Sequence, residues 1–165
     1  MVDFTGGTWR SLIDGQEVSA IPDSVVSRPD DNDEGGDQSV KIGHQIETKT
    51  SWPSIGARIS NLTSGVTKAY LTDDNNNTIE TTDISSLSAG DAFTFENVNL
   101  EANTKYRIVL DADGSDFTPG INNDIAESDF PFTSEDIDIT ARVFDGSTGG
   151  DQVTMVDDIG NTGFD

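Results

Sequence analysis

An oxygen-rich turn carries the residues best suited to chemistry in this sequence. Asp111, Asp113 and Asp116 surround a glycine and stand close to alternate positions along the chain. This spacing matches the first ligands of an EF-hand loop, which binds Ca²⁺, although Asn122 stands where that loop has its closing glutamate. We therefore predict a structural Ca²⁺ or Mg²⁺ ion with these three aspartates as ligands. A solvated acidic turn is the alternative, and the Asp- and Asn-rich turn at 73–77 poses the same choice.

The remaining residues offer no constellation for catalysis. The chain has one histidine and no cysteine, which excludes disulfides and cysteine-ligated metals. His44 shares its parity with Ile42 and Ile46, so we expect it half-buried beside the core rather than at a catalytic centre. No G-x-S-x-G motif is present, and carboxylate pairs are too common among 31 acidic residues to indicate a glycosidase. We expect a protein that is not an enzyme, with a calcium-dependent glycosidase as the enzymatic alternative.

Aromatic residues in turn-like segments are the candidates for binding. Trp52, Phe117, Phe130 and Phe132 lie outside the clear strand patterns. Aromatic rings stack on the apolar faces of sugars and anchor protein interfaces, so we predict contact with a glycan or a partner through these four residues. The alternative is that the segments fold back and cap the core.

Basic residues are rare enough for their placement to be informative. Seven of the nine fall on predicted strands: Lys41, Lys49, Arg58, Lys68, Lys105, Arg107 and Arg142. We expect them to pair with cross-strand acids such as Glu47, Glu96 and Asp138. Contact with an acidic partner subunit, or with a sulfated or uronate-bearing glycan, is the alternative.

The charge balance limits the partners of the chain. Its 165 residues include 31 acidic and 9 basic ones, a formal net charge of −22, which argues against nucleic acid as a direct partner. The acids are spread over the whole chain, which is typical of halophilic surfaces in molar salt, although other acidic contexts exist. No stretch approaches the ~20 apolar residues of a membrane helix, so we expect no membrane insertion. The N-terminus also shows no secretory signal.

Period-2 alternation dominates the chain from about residue 39 and predicts β-strands with one wet face. The clearest apolar rows are Val40, Ile42 and Ile46; Ile55, Ala57 and Ile59; Phe93 and Phe95; Tyr106, Ile108 and Leu110; and Ile137, Ile139, Ala141 and Val143. Turn residues separate the rows. About eight short strands at this spacing predict an all-β fold, an antiparallel β-sandwich of jelly-roll type with N- and C-terminal arms.

Composition also divides the chain into segments. The division places an N-terminal arm or short β segment at 1–29, an acidic linker at 30–37, the β-sandwich at 38–145 and a Gly-rich C-terminal tail at 146–165. The arm is too short to bury a core alone, so Trp9, Leu12 and Ile13 must pack on the sandwich or on another subunit. We predict that they form an oligomer contact; frayed termini and an edge strand are the alternative.

Three motifs within 51–114 carry a resemblance. They are the strand SGVTKAYL at 64–71, the turn DISSLSAGD at 83–91 and the strand end LEANTKYRIVLDADG at 100–114. This part of the chain resembles a small jelly-roll β-domain of structural proteins of haloarchaeal tailed viruses, which is also seen in some haloarchaeal surface proteins. Each motif is a strand with its turn, so the resemblance concerns fold more than activity.

The resemblance implies a structural virion protein, such as a capsid turret, a decoration protein or a tail fibre component. Such a protein is assembled in the host cytoplasm, forms a homo-oligomer (a pentamer or a trimer), and contacts other virion proteins. We also expect contact with host surface-layer glycans. The alternative function is a carbohydrate-binding module of a haloarchaeal surface protein or enzyme.

Overall fold

The computed structural model describes residues 12–13, 16–17, 26, 33–34, 41–61, 63–113, 115–121, 125, 127–145 and 156–157. This part of the chain contains β-strands, one turn of 3-10 helix at Glu127–Asp129 and no α-helix. The strands are β1 (Leu12–Ile13), β2 (Gln16–Glu17), β3 (Asp33–Glu34), β4 (Lys41–Thr48), β5 (Trp52–Arg58), β6 (Lys68–Asp73), β7 (Thr78–Asp83), β8 (Ala92–Leu100), β9 (Thr104–Asp111), β10 (Gly120–Ile121), β11 (Phe132–Thr133), β12 (Ile137–Asp145) and β13 (Val156–Asp157). No helix among these residues is long and apolar enough to cross a membrane.

Two antiparallel sheets form a β-sandwich. The large sheet has the strand order β11-β12-β4-β9-β6-β7, with β13 also paired to β12, and the small sheet consists of β5 and β8. Two further short pairs are β1–β2 and β3–β10. The predicted all-β antiparallel sandwich of about eight strands is confirmed. Its jelly-roll connectivity stays a prediction, because the strands are divided unequally between the layers.

The core lies between the two sheets and is built from the predicted alternating rows. One row is divided, because a register shift after Ile139 turns Val143 to the other face of the sheet. Ile46 and Leu71 face it from the large sheet, and Phe93 and Phe95 face it from the small one. The two phenylalanine rings meet edge to face with their centroids 5.5 Å apart. His44 is half-buried on the same side of β4 as Ile46, as its parity predicts. Removal of this apolar surface from water is the main stabilising contribution to the sandwich.

One antiparallel ribbon runs through both sheets. β4 pairs with β9 as far as Thr48 opposite Thr104, and β5 pairs with β8 from Trp52 opposite Leu100. The segments from Thr48 to Trp52 and from Leu100 to Thr104 are equally long, so the antiparallel register is kept across the corner and both strands leave the large sheet together. At the corner, the Thr48 hydroxyl donates to the carbonyls of Glu101 (2.6 Å) and Thr104 (3.1 Å). Strands that change sheets at a bend are a known way to close a sandwich.

The outer face of the large sheet is also covered. Tyr70, Val109 and Val143 form a second apolar cluster there, and each is at most 1 % exposed. Lys41 and Arg107 lie on this face and are 1 % and 4 % exposed. Alternation assigns both basic residues to the side away from the core, but at these positions that side is not exposed to solvent.

Most residues of the predicted terminal segments lie outside the part of the chain that the structure describes. The arm (1–29), the linker (30–37) and the tail (146–165) contribute only short pieces to the described residues. Trp9 lies outside them, and Leu12 and Ile13 are described only as the backbone of β1. The oligomer contact assigned to these three residues stays a prediction.

Candidate functional site

Polar contacts concentrate around Arg107, a residue of the central strand β9. Its guanidinium donates through Nη1 to the carbonyls of Asp73 (3.2 Å) and Asp74 (2.8 Å) and to Oδ1 of Asn76 (3.0 Å). Nη2 lies 3.1 Å from Oδ1 of Asp74. The planar fork of an arginine is suited to several acceptors at once. The buried side chain of Arg107 therefore holds the turn between β6 and β7 against the large sheet.

Two further side chains extend this network across the sheet. Nε2 of Gln45 on β4 donates to Oδ1 of Asp74 at 3.0 Å, and the Thr140 hydroxyl on β12 donates to Oε1 of Gln45 at 2.9 Å. Gln45 is 4 % exposed. Hydrogen bonding compensates the burial of these polar groups. The arrangement can hold a loop in one shape for recognition, and we call Thr140, Gln45, Arg107 and Asp74 the sheet network.

The β6–β7 turn also carries its own hydrogen bonds. Oδ1 of Asp73 accepts from the backbone amides of Asn75 (2.8 Å) and Asn77 (2.9 Å), and Oδ2 accepts from Nδ2 of Asn77 (2.8 Å). Asn76 has a φ of 66°, the left-handed conformation that asparagine tolerates in turns. Burial raises the pKa of Asp73, but the hydrogen bonds from Asn77 and Asn75 outweigh it and hold the pKa below its usual value.

The predicted cation ligands have separate partners. Oδ2 of the buried Asp111 lies 3.4 Å from the Tyr70 hydroxyl, and its Oδ1 accepts from the backbone amide of Asp113 at 3.1 Å. The exposed Asp113 carboxylate pairs with Nζ of Lys68 at 2.9 Å, and Asp116 is exposed. Over the described ranges, no group of three or more His, Cys, Asp or Glu side chains is placed to hold a metal ion. The Ca²⁺ or Mg²⁺ ion at Asp111, Asp113 and Asp116 stays a prediction.

The four predicted contact rings fall into two groups. Trp52 and Phe117 are 8 % and 3 % exposed and belong to the core, as the capping alternative predicts. Phe130 and Phe132 are half-buried, on either side of the exposed Pro131, and their rings meet edge to face at 4.9 Å. Contact with a glycan or partner stays a prediction. Of the four residues, Phe130 and Phe132 are the two that are exposed enough to make it.

Among the described residues, Lys49 pairs with one of the expected cross-strand acids. Nζ of Lys49 lies 2.7 Å from Oδ1 of Asp138, one of the cross-strand acids named from the sequence, and Lys105 stands opposite Glu47 in the register. Lys49 follows the end of β4 instead of lying within it. Nζ of the buried Lys41 stands 5.3 Å from the centre of the Tyr70 ring, a cation–π arrangement.

Sequence reasoning missed the sheet network. Its only signal is an arginine on a strand together with an Asp- and Asn-rich turn more than thirty residues away. Contact across that separation follows from the pairing of β6 with β9, which the sequence does not show.

Comparison of the chain with protein-family models, with curated proteins and with solved structures finds no match.

Proposed function

We propose that this chain is a structural virion protein of a halophilic archaeal virus, a capsid turret, decoration or tail fibre component. In this proposal the chain is not an enzyme and assembles in the host cytoplasm as a homo-oligomer, a trimer or a pentamer. It contacts other virion proteins and presents a surface to the glycans of the host.

The distribution of charge is the observation that carries the proposal. Ten described acidic residues are exposed, namely Asp74, Glu80, Asp83, Asp91, Glu96, Glu101, Asp113, Asp116, Asp129 and Glu135. Only Arg58 and Lys105 among the described basic residues are exposed to the same degree. Burial of Lys41 and Arg107 thus leaves the outside more acidic than composition alone indicates. Such a surface is favourable where molar salt screens its repulsion, inside the host and in the brine around a particle.

The fold of the segment that carries the resemblance supports a structural role. The residues that carry the resemblance, 51–114, include five consecutive strands from β5 to β9 and both strands of the small sheet. They also contain the β6–β7 turn, which Arg107 fixes to the large sheet. A sandwich whose β6–β7 turn is hydrogen-bonded to its central strand can project from a particle without losing its shape.

The Phe130–Phe132 pair supports contact with host glycans. The two rings are partly exposed; Phe132 begins β11, at one edge of the large sheet, and Phe130 lies just before this strand. The exposed Asp129 precedes them, so the patch combines ring faces with a hydrogen-bond acceptor. Sugars are recognised by this combination of apolar faces and polar groups.

The test is localisation of the full chain in virus preparations. Particles from haloarchaeal cultures that carry the gene are purified by density gradient in high salt, then labelled with antibody and analysed by mass spectrometry. We expect gold label on the particles and a constant ratio of this chain to the major capsid protein. A chain that stays with cells or with soluble protein would overturn the proposal.

The ring pair also favours the alternative, a carbohydrate-binding module of a haloarchaeal surface protein or enzyme. Such a module is a monomer and binds sugar at millimolar strength without particles. Binding of the full chain to purified surface-layer glycoprotein separates the two, when it is combined with the particle experiment. Replacement of both Phe130 and Phe132 by alanine should abolish glycan binding in either case, whereas the exposed Ile79→Ala should not change it.

A further inference from the structure

One lysine of the large sheet is buried. The side chain of Lys41 is 1 % exposed and lies on the outer face of the sheet, the face that carries the apolar cluster of Tyr70, Val109 and Val143. Among the described residues it is the one buried lysine. Lysine is almost never buried to this extent, because its ammonium loses its hydration there. Its amine is also a nucleophile, so a buried lysine is a candidate for chemistry.

A buried carboxyl group stands next to this lysine in the sheet. β4 begins at Lys41 and β9 ends at Asp111, and the antiparallel register pairs Ile42 with Leu110. One further step along both strands brings Lys41 opposite Asp111. Both residues lie on the outer face, since positions two apart along a strand share a face. Asp111 is 6 % exposed, so two groups that can react with each other are neighbours away from water.

The buried Tyr70 contacts both groups. Nζ of Lys41 lies 5.3 Å from the centre of the Tyr70 ring, and the hydroxyl of the same ring lies 3.4 Å from Oδ2 of Asp111. The other carboxylate oxygen, Oδ1, accepts from the backbone amide of Asp113 at 3.1 Å. The amine and the carboxyl group therefore share one buried site, and each oxygen of the carboxyl group has a different donor.

A second lysine beside Asp111 has a different environment. Lys68 on β6 stands opposite Asp111 in the register of β6 and β9. Its Nζ pairs with the exposed carboxylate of Asp113 at 2.9 Å, and its side chain is 29 % exposed. Such an ion pair at the surface stays hydrated. Burial thus distinguishes Lys41 from Lys68, although both stand next to Asp111.

We propose that the amine of Lys41 condenses with the carboxyl group of Asp111 to form an isopeptide bond within the chain. Nζ of Lys41 attacks Cγ of Asp111, the Nζ–Cγ bond forms and the Cγ–Oδ2 bond breaks. The two protons that the ammonium loses leave with Oδ2 as water. One ammonium and one carboxylate become one neutral amide, so atoms and charge balance without a further reactant.

The surroundings favour this reaction. Burial of an ammonium and a carboxylate costs free energy that burial of a hydrogen-bonded amide does not, so the product suits the site better than the two charges do. The backbone amide of Asp113 donates to Oδ1, on which negative charge develops during the attack. The Tyr70 hydroxyl stands beside the leaving Oδ2 and can relay a proton to it. Folding supplies the remaining requirement, because it holds the two strands side by side.

The bond has two consequences for the molecule. It joins β4 to the central strand β9, so these strands cannot separate when the chain is heated or pulled. It also converts the Asp111 carboxylate into an amide, which removes one charged ligand from the cation site predicted at Asp111, Asp113 and Asp116. The inference goes beyond the proposed function and does not depend on it.

The mass of the intact chain tests the inference. We expect the wild-type chain, folded in high salt and then denatured, to be lighter than its sequence by one water molecule. Lys41→Arg keeps the positive charge but lacks the amine, so its mass should equal that of its sequence. The matched control Lys68→Arg should still lose one water. Asp111→Asn should lose ammonia in place of water, because the side-chain nitrogen then becomes the leaving group.

A digest of the wild-type chain locates the bond. Trypsin does not cleave after an acylated lysine, so we expect a branched product in which the peptide that contains Lys41 is joined to the peptide that contains Asp111. Fragmentation of this product by tandem mass spectrometry identifies the two linked residues. The wild-type mass and the digest require no variant, so the inference stays testable if Lys41→Arg does not fold.

Three outcomes would overturn the inference. They are a wild-type mass equal to that of the sequence, a loss of water that persists in Lys41→Arg, and a bond from Lys41 to Asp145, which stands opposite it on β12. A loss that persists would indicate a cyclic imide at an aspartate instead of a cross-link. These outcomes leave the virion proposal standing, because its failure is recognised separately, by absence of the chain from purified particles.

Discussion

Arg107 and Asp74 form an ion pair between the centre of the large sheet and one of its turns. Nη2 of Arg107 lies 3.1 Å from Oδ1 of Asp74, and the arginine side chain is 5 % exposed whereas the aspartate is 52 % exposed. The Asp74 carboxylate also accepts from Gln45, and its backbone carbonyl accepts from Arg107. The free-energy cost of desolvation therefore falls mostly on the arginine, and its several hydrogen bonds offset that cost.

Removal of this arginine should destabilise the fold strongly. Arg107→Met keeps the aliphatic stem but removes the donor to the carbonyl of Asp74 and to Oδ1 of Asn76. We expect a loss of about 2–3 kcal/mol in the free energy of unfolding, measured by denaturant titration in high salt. The control is Lys105→Met on the same strand, whose exposed side chain should contribute less than ~0.5 kcal/mol. Equal losses in the two variants would contradict the role assigned to Arg107.

Acid should loosen the β6–β7 turn through Asp73. Because hydrogen bonds hold its pKa below the usual value near 3.8, the carboxylate contributes stability above that pH. The contribution is lost as the pH falls through the lower pKa of the folded protein. Asp73→Ala should cost about 1 kcal/mol at neutral pH and less once the carboxyl is protonated. Thermal unfolding at neutral and strongly acidic pH checks this, and a cost that is independent of pH would contradict it.

The strands could be predicted from the sequence because one side of each is apolar. Tyr106, Ile108 and Leu110 illustrate this, since all three pack against the core as their spacing predicts. Alternation separates two faces of a strand but does not show what covers the second face. Alternation therefore predicts the side of the strand on which Lys41 and Arg107 lie, but it does not predict their burial.

The binding residues show a second limit of sequence reasoning. Trp52 lies next to Pro53 and follows turn-forming residues, yet it begins β5 and enters the core opposite Leu100. A corner between two sheets needs turn residues and buried residues in the same few positions. Local composition therefore cannot distinguish a ring that caps the core from one that is presented to a ligand.

The corner of the ribbon should depend on the hydroxyl of Thr48. This buried group donates to two backbone carbonyls, those of Glu101 and Thr104. Thr48→Val keeps the shape of the side chain and leaves both carbonyls without this donor, so we expect a loss of about 1–2 kcal/mol. The neighbouring Thr50→Val, on an exposed residue, is the control and should change stability by less than ~0.5 kcal/mol. Chemical denaturation of both variants in the same salt makes the comparison, and a larger effect at Thr50 would contradict the assignment.

Salt should stabilise the chain because its exposed charges are almost all of one sign. Screening shortens the range of repulsion to ~3 Å at 1 M salt, whereas at 0.01 M it extends over ~30 Å. We expect the thermal midpoint to rise steadily with KCl, and a gain of about 3 kcal/mol corresponds to roughly 10 °C in a chain of this size. Replacement of the exposed Glu96, Glu101 and Glu135 by glutamine serves as the matched control. The variant lacks three repelling charges, so its midpoint should be higher in dilute buffer and should depend less on KCl. A wild-type midpoint that does not change with salt would contradict the halophilic character on which the proposed function depends.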